Sequence, residues 1–388
     1  MHFWDKITDF AKENQNLAKI GVGDILGTGI ASFFWFYIAA SMGPENYGEI
    51  QYFLGIAGIA QIFSLFGTSQ VLTVYTAKNV KIQSTLIFIS LILGSISVLI
   101  TMIIFSKFDI GFLIIAFMLP EIANGIILGK KCFSKYSKLL LLQKLLLFSL
   151  GISFYHFFGF ESILFALALS YLPYSKIIYS EIQSTKINFG LLQEKKGFVF
   201  NNYVIMASVA VNGQLDKLII APLLGFSLLG EYALILQIIA GLTIISTIVY
   251  KYVLPQDSSR QITTKLKKIT ILVSIVIAFL GMTVLPLVIP YLFPKFEHVI
   301  DGIRFASFAV IPITISMLYV SKLLASEKGR FVLISNMIST GIFLIGFITL
   351  GPLFGIVGLV SVLLISSSVQ ALVVVIASKY ISKHGTAS

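Results

Sequence analysis

From Phe331 to Ser378 the chain carries no Asp, Glu, Lys or Arg across 48 consecutive residues. A helix at a protein surface needs a polar face, whereas one crossing of a hydrocarbon layer takes an apolar run of about 20 residues. The run is too long for one crossing and fits two, with Gly351-Pro352 as the expected turn between them. Ile25 to Pro44, Ile50 to Ala77, Ile82 to Phe105 and Ile269 to Pro294 are likewise uncharged. Segments near 110–129, 139–158, 161–180, 200–224, 230–253 and 303–325 have the same character, each with one or two ionisable residues or a proline. The sequence thus predicts an all-α membrane protein of about twelve transmembrane helices. Composition agrees, with 12% charged residues and a mean hydropathy of +0.95, against about 25% charged residues in soluble domains.

Lys and Arg concentrate in loops on the cytoplasmic side of membrane proteins. With twelve spans, 23 of the 28 basic residues fall in alternate loops and at both ends, Lys6 to Lys19 at one and Lys379 and Lys383 at the other. Only Lys107, Lys295 and Arg304 fall on the opposite side, and Lys144 and Lys217 lie within spans. Both termini are therefore expected in the cytoplasm of a cell whose plasma membrane holds the protein. The net charge of +11 then reflects loops facing anionic inner-leaflet lipid, with no nucleic-acid partner. A single cysteine, Cys132, and four scattered histidines predict no disulfide, metal or other cofactor.

Residues 1–19 read as a cytoplasmic interfacial helix or tail, with Phe3, Ile7, Phe10 and Leu17 near one helical face. Further on, the chain repeats itself. Gly43-Pro-Glu-Asn-Tyr-Gly48-Glu49 follows the first span and Gly225-Phe-Ser-Leu-Leu-Gly230-Glu231 the seventh, and Gly-Glu occurs nowhere else. Each is expected to close a Gly-x4-Gly turn leading into an apolar helix. The longest cytoplasmic loop, Glu181 to Gly197, divides the halves. The expected organisation is a first six-helix bundle over 20–180, a linker over 181–199, a second bundle over 200–378 and a tail over 379–388. Six is even, so the halves share one orientation, as in alternating-access exporters built from parallel repeats.

Two stretches carry a resemblance to a known family. Phe36 to Asn79, with Ala40-Ser-Met-Gly-Pro-Glu-Asn-Tyr-Gly48 and Leu65-Phe-Gly-Thr-Ser-Gln70, resembles the amino-terminal signature of polysaccharide-transport flippases. These belong to the multidrug, oligosaccharidyl-lipid and polysaccharide exporter superfamily. Gln214-Leu-Asp216-Lys217-Leu, Leu224-Gly225, Gly230-Glu-Tyr232 and Leu254-Pro255 resemble that family's seventh and eighth helices. The resemblance implies export of a lipid-linked oligosaccharide from inner to outer leaflet, beside glycan-assembly enzymes. Peptidoglycan-precursor flippases match less well, having usually fourteen spans and basic residues in the first helix, where this chain has Asp24.

A charge at mid-bilayer costs about 2.5–3.5 kcal/mol on insertion scales, so intramembrane ionisable groups mark either a cavity or a structural partner. Asp24, Glu121 and Lys144 fall in the inner half of the first six spans and form one candidate cluster. Asp216 and Lys217 fall in the outer half of the seventh span, near Asn212 and Gln214, with Arg304 entering from the outer end of the tenth. They form a second. Lys144, Lys217 and Arg304 are the candidates to attract a carrier phosphate, and Asn124, Asn212, Gln214 and Gln237 to line a sugar path. The bland alternatives are snorkelling for Lys144, an Asp24–Lys144 pair, a helix anchor for Arg304 and interhelical bonding for the amides. A cation-coupled multidrug exporter is the alternative within transport. A membrane-embedded glycan polymerase is disfavoured by outer loops of about ten residues or fewer and by the lack of Asp-x-Asp.

Overall fold

A computed structural model describes residues 15–66, 69–258, 263–296, 298–326 and 328–384. The expectation for 1–19 lies outside the described residues except for its last turn, which opens the first helix. The helices are α1 (Gln15–Met42), α2 (Pro44–Ser64), α3 (Ser69–Ala77), α4 (Gln83–Phe105), α5 (Phe108–Gly129), α6 (Phe133–Phe158), α7 (Ser162–Ser170) and α8 (Ser175–Ser184). They continue as α9 (Phe189–Asn212), α10 (Leu215–Leu224), α11 (Phe226–Leu242), α12 (Ile244–Ser258), α13 (Thr264–Thr283), α14 (Leu285–Leu292), α15 (Val299–Ala325) and α16 (Gly329–His384). Nine of the described segments are long and apolar enough to cross a membrane, and α11 with α12 makes a tenth, bent by 52°. The hairpin within α16 supplies two crossings rather than one, and α9 with α10 supplies the remaining one. Twelve crossings in two six-helix halves follow, as the hydropathy predicts. Ile103, 80% exposed, and Tyr291, 87% exposed, belong to apolar helices, whose outer faces lipid would cover.

Three details differ from the sequence expectation. The reversal of the last hairpin falls at Gly355 (φ 56°, ψ −132°), not at Gly351-Pro352. Gly346 packs on Val362 and Gly351 on Leu359, so the arms are level about Gly355, whose positive φ suits glycine. The linker is mostly helical: α8 runs to Ser184 and α9 begins at Phe189. The short remainder is tied down, because Ser84 Oγ donates to the Thr185 carbonyl at 2.9 Å and the Asn188 amide to Thr85 Oγ1 at 2.8 Å. Finally, only the first glycine of each repeat makes the turn. Gly43 and Gly225 both have φ of +90°, while Gly48 and Gly230 lie one turn inside α2 and α11.

Two compact units divide the chain, Met1–Ile38 with Tyr52–Leu215 and Ala39–Gln51 with Asp216–Ser388. In the first, Leu72, Leu86, Ile122, Ile126 and Tyr174 form a core among α3, α4, α5 and the 3-10 turn that joins α7 to α8. The Lys130 ammonium pairs with Glu181 at 2.5 Å and closes the end of α5 on α8.

In the second unit the two repeat motifs meet. A methyl group added at Gly48 would strike the carbonyl of Phe226, and one added at Gly230 would strike the carbonyl of Pro44. The contact is reciprocal, each glycine giving way to the residue four before the other, so the motifs are related by a local two-fold. Lys295 fastens the same region by donating to the Ser41 carbonyl at 2.6 Å, and Tyr47 stands edge-on to Phe296.

At the opposite end of this unit, Asp257 accepts from Lys267 at 2.5 Å, Ser321 at 2.7 Å and Thr263 at 2.5 Å, joining α12, α13 and α15. The carboxylate side chain is 8% exposed and the ammonium 15%, so removing one partner strands a desolvated charge. Asp257→Ala should destabilise the unit by about 3–5 kcal/mol, and Asp257→Leu combined with Lys267→Met should recover most of that loss. Thermal unfolding in detergent of the single and double variants measures both.

Candidate functional site

In the first unit, Gly23 and Gly27 place α1 directly on α6. A side chain at Gly23 would meet Ser137, and one at Gly27 would meet Leu140 and Lys144. This small-residue crossing brings Tyr136 Oη to 3.3 Å from Asp24 Oδ1, to which it donates. Glu121 follows Pro120 in α5 and is exposed, close enough to Tyr136 and Tyr171 for its charge to bear on both phenols. One turn further along α5, the Asn124 Oδ1 is buried and has no hydrogen-bond partner among the described residues. Asp24, Glu121, Tyr136 and Tyr171 therefore form one polar patch.

Lys144 stands apart from that patch, two turns beyond Tyr136 on α6. Its stem packs at 3.5 Å from the position a Gly27 side chain would take, and it makes no ion pair among the described residues. The proposed Asp24–Lys144 pair does not form. The phenols escaped sequence reasoning because tyrosine is ordinary in a membrane helix, and the helix that carries Tyr136 holds no acid to single it out.

The seventh span is broken at Gly213-Gln214, at the end of the first unit, and the second unit resumes with Asp216 in the first turn of α10. Asp216 is buried, and its Oδ1 accepts from the Lys217 backbone amide at 2.8 Å. A carboxylate at the start of a helix is favoured by unsatisfied amides and by the helix dipole. Asp216 thus has a structural task. Its neighbour Lys217 is half-buried and, among the described residues, its ammonium has no ion-pair partner. Tyr232, fully buried on α11, stands edge-on to Phe347, has no bond at its hydroxyl among the described residues, and lies close enough to feel the Asp216 charge.

The other candidates separate. Arg304 pairs with Asp301 at 3.3 Å on its own helix, with both side chains more than half exposed, an arrangement worth little energetically. Gln237 is half-buried on α11. Gln214, in the first unit, lies against Gly58 and has a buried Oε1 without a partner among the described residues. The Asn212 side chain lies outside the described residues. Sequence reasoning took Glu231 only as part of a turn, yet it is 4% exposed with one oxygen unbonded among the described residues, and His298 is the charge that bears on it.

No protein-family model and no curated sequence matches the chain. Solved structures do. An inward-facing multidrug resistance MATE-family transporter of the MOP superfamily matches over 96% of this chain and 99% of its own, with TM-score 0.64 and 16% identity. The lipid II flippase MurJ, in an inward closed conformation, matches over 93% and 87% with TM-score 0.76 and 13% identity. This chain has the MOP-transporter fold. A third MOP transporter, from Pyrococcus furiosus, is similar over 95% of both chains with TM-score 0.62 and 15% identity, and is described as having a binding pocket of reversed polarity. At these identities the likeness is one of backbone. The MOP fold is thus shared by proteins named for multidrug export and for lipid flipping, and the side chains of each site must separate them.

Proposed function

We propose that the chain is a flippase, carrying a lipid-linked oligosaccharide from the inner to the outer leaflet by alternating access of two six-helix halves, for surface polysaccharide or glycan assembly. The observation that carries this reading is a pair of ammonium groups, Lys144 and Lys217, one in each unit, set within membrane-spanning helices of a MOP-type fold and unpaired among the described residues. A cation held at that depth calls for an anion, and the phosphate of a lipid carrier supplies one while its tail stays in the bilayer. The resemblance of Phe36 to Asn79 and of Gln214 to Tyr232 to polysaccharide-transport flippases supports the same substrate class. Both termini are cytoplasmic in this reading, and glycan-assembly enzymes are the partners it implies. Gly125 to Lys130 lacks the spacing and hydroxyl of a phosphate loop, so an ion gradient, the membrane potential or consumption of the product outside supplies the energy.

One observation favours a second reading. The Asp24, Glu121, Tyr136 and Tyr171 patch is acidic, as the cationic substrates of a drug exporter would require. Purified protein in proteoliposomes separates the two. A fluorescent polyprenyl-diphosphate disaccharide should become accessible to an impermeant quencher faster than in protein-free vesicles. Ion-driven movement of an organic cation with no movement of the disaccharide lipid would replace the flippase reading with the drug-exporter one.

A further inference from the structure

The 56-residue α16 hairpin contains only two carboxamide side chains, Asn336 and Gln370. They stand 34 residues apart on opposite arms, yet Gln370 Nε2 donates to Asn336 Oδ1 at 2.7 Å. Ordinary interhelical glue of this kind is buried between helices. Deeper in the same seam, Ser339 Oγ, half-buried, donates to the Ser366 carbonyl at 3.1 Å, and Ser366 is buried. The amide bond instead lies at an exposed place, with Asn336 exposed and Gln370 half-buried.

Depth makes this exposure informative. Asn336 is seven residues from Gly329, where the hairpin begins, or about 10 Å at helical rise, and Gln370 is ten residues from Tyr380, or about 15 Å. At that depth the surroundings are hydrocarbon wherever lipid reaches, and spare amide groups facing lipid find no partner. Whichever way the two amides are assigned, their mutual bond uses one donor and one acceptor. It leaves at least one N–H and one carbonyl lone pair on the two bonded atoms, at an exposed place. This is the pattern that binds vicinal hydroxyls, each of which both donates and accepts.

We propose that Asn336 and Gln370 form a carbohydrate-contact subsite in the second unit, binding hydroxyl groups of the neutral sugar head of the transported lipid. The inference rests on the flippase reading and extends it: the lysines address the phosphate, and the amide pair addresses the sugar. The amides are already held by each other, so the side-chain freedom lost on binding is small.

Cysteines at Asn336 and Gln370, introduced singly after Cys132→Ser, test the proposal with a charged, membrane-impermeant thiol reagent. Thiols react as thiolates, which need water, so both positions should label about tenfold faster than a cysteine at Ile345, 67% exposed on the first arm among apolar neighbours. Polyprenyl-diphosphate disaccharide should then slow labelling, while the same polyprenyl diphosphate without sugar should not. Labelling no faster than at Ile345, or equal protection by the two lipids, overturns the subsite. Transport of the disaccharide lipid by the unmodified protein is measured in parallel. If it occurs while protection is equal, only the subsite falls, and if it does not occur, the flippase reading falls and takes the subsite with it.

Discussion

Lys217→Ala should reduce glycan export to background while leaving the amount of protein in the membrane unchanged. The ammonium is half-buried at the start of α10, and the neighbouring Asp216 carboxylate, held by the Lys217 backbone amide at 2.8 Å, bears on it without forming an ion pair among the described residues. The change breaks no ion pair among the described residues, and Asp216 keeps its bond to the backbone amide, so folding should not suffer. A hydrogen bond to a charged group contributes about 1.5–3 kcal/mol, which is roughly 10- to 100-fold in affinity for a phosphate. Lys217→Arg should retain part of the activity, because the charge persists while the geometry of its donors changes. Export and membrane abundance are read in the same cells. Normal export by Lys217→Ala would remove phosphate binding at this residue, and reduced abundance would assign the residue a structural role instead.

Gly230→Leu should be as damaging by a different route. The Gly230 Cα faces the Pro44 carbonyl, and Gly48 faces that of Phe226, so a side chain at either position must separate α2 from α11. Overpacking a tight core costs about 1–3 kcal/mol when side chains can yield, and a backbone carbonyl yields less than a side chain. The Lys295 bond to Ser41 and the Tyr47–Phe296 contact depend on the same docking and should be lost with it. Gly241→Leu is the control on the same helix, because nothing lies within 4 Å of a side chain there. Export should fall to background for Gly230→Leu and Gly48→Leu and stay near normal for Gly241→Leu. Disulfide formation between cysteines at Ser41 and Lys295, in a Cys132→Ser background, reports the docking directly. Efficient cross-linking in Gly230→Leu would show that the contact survives the substitution and that the clash is absorbed elsewhere.

The number of crossings was legible from residue order alone, because burial in hydrocarbon is decided by runs of about 20 residues and a charge anywhere in a run is costly. The repeat was legible too, since glycine followed by glutamate recurs at matching places in the two halves. Its meaning was not. Sequence reading assigned both glycines of each motif to a turn, whereas Gly43 and Gly225 turn the chain and Gly48 and Gly230 make room for one another. That distinction depends on a contact between residues 182 positions apart.

The candidate site divides along the same line. That Asp24, Glu121, Lys144, Asp216 and Lys217 sit within spans follows from the sequence, because their neighbours are apolar. Tertiary structure alone decided that Asp24 meets Tyr136 rather than Lys144, that Asp216 serves the first turn of α10, that Arg304 pairs with Asp301, and that Asn336 finds Gln370 across a hairpin turning at Gly355. Hydropathy is a local property and sums along the chain, so order fixes which segments enter the membrane. The partner of a polar group inside it depends on which helices pack together and on which face, and small residues such as Gly23 and Gly27 settle that only once two helices have met.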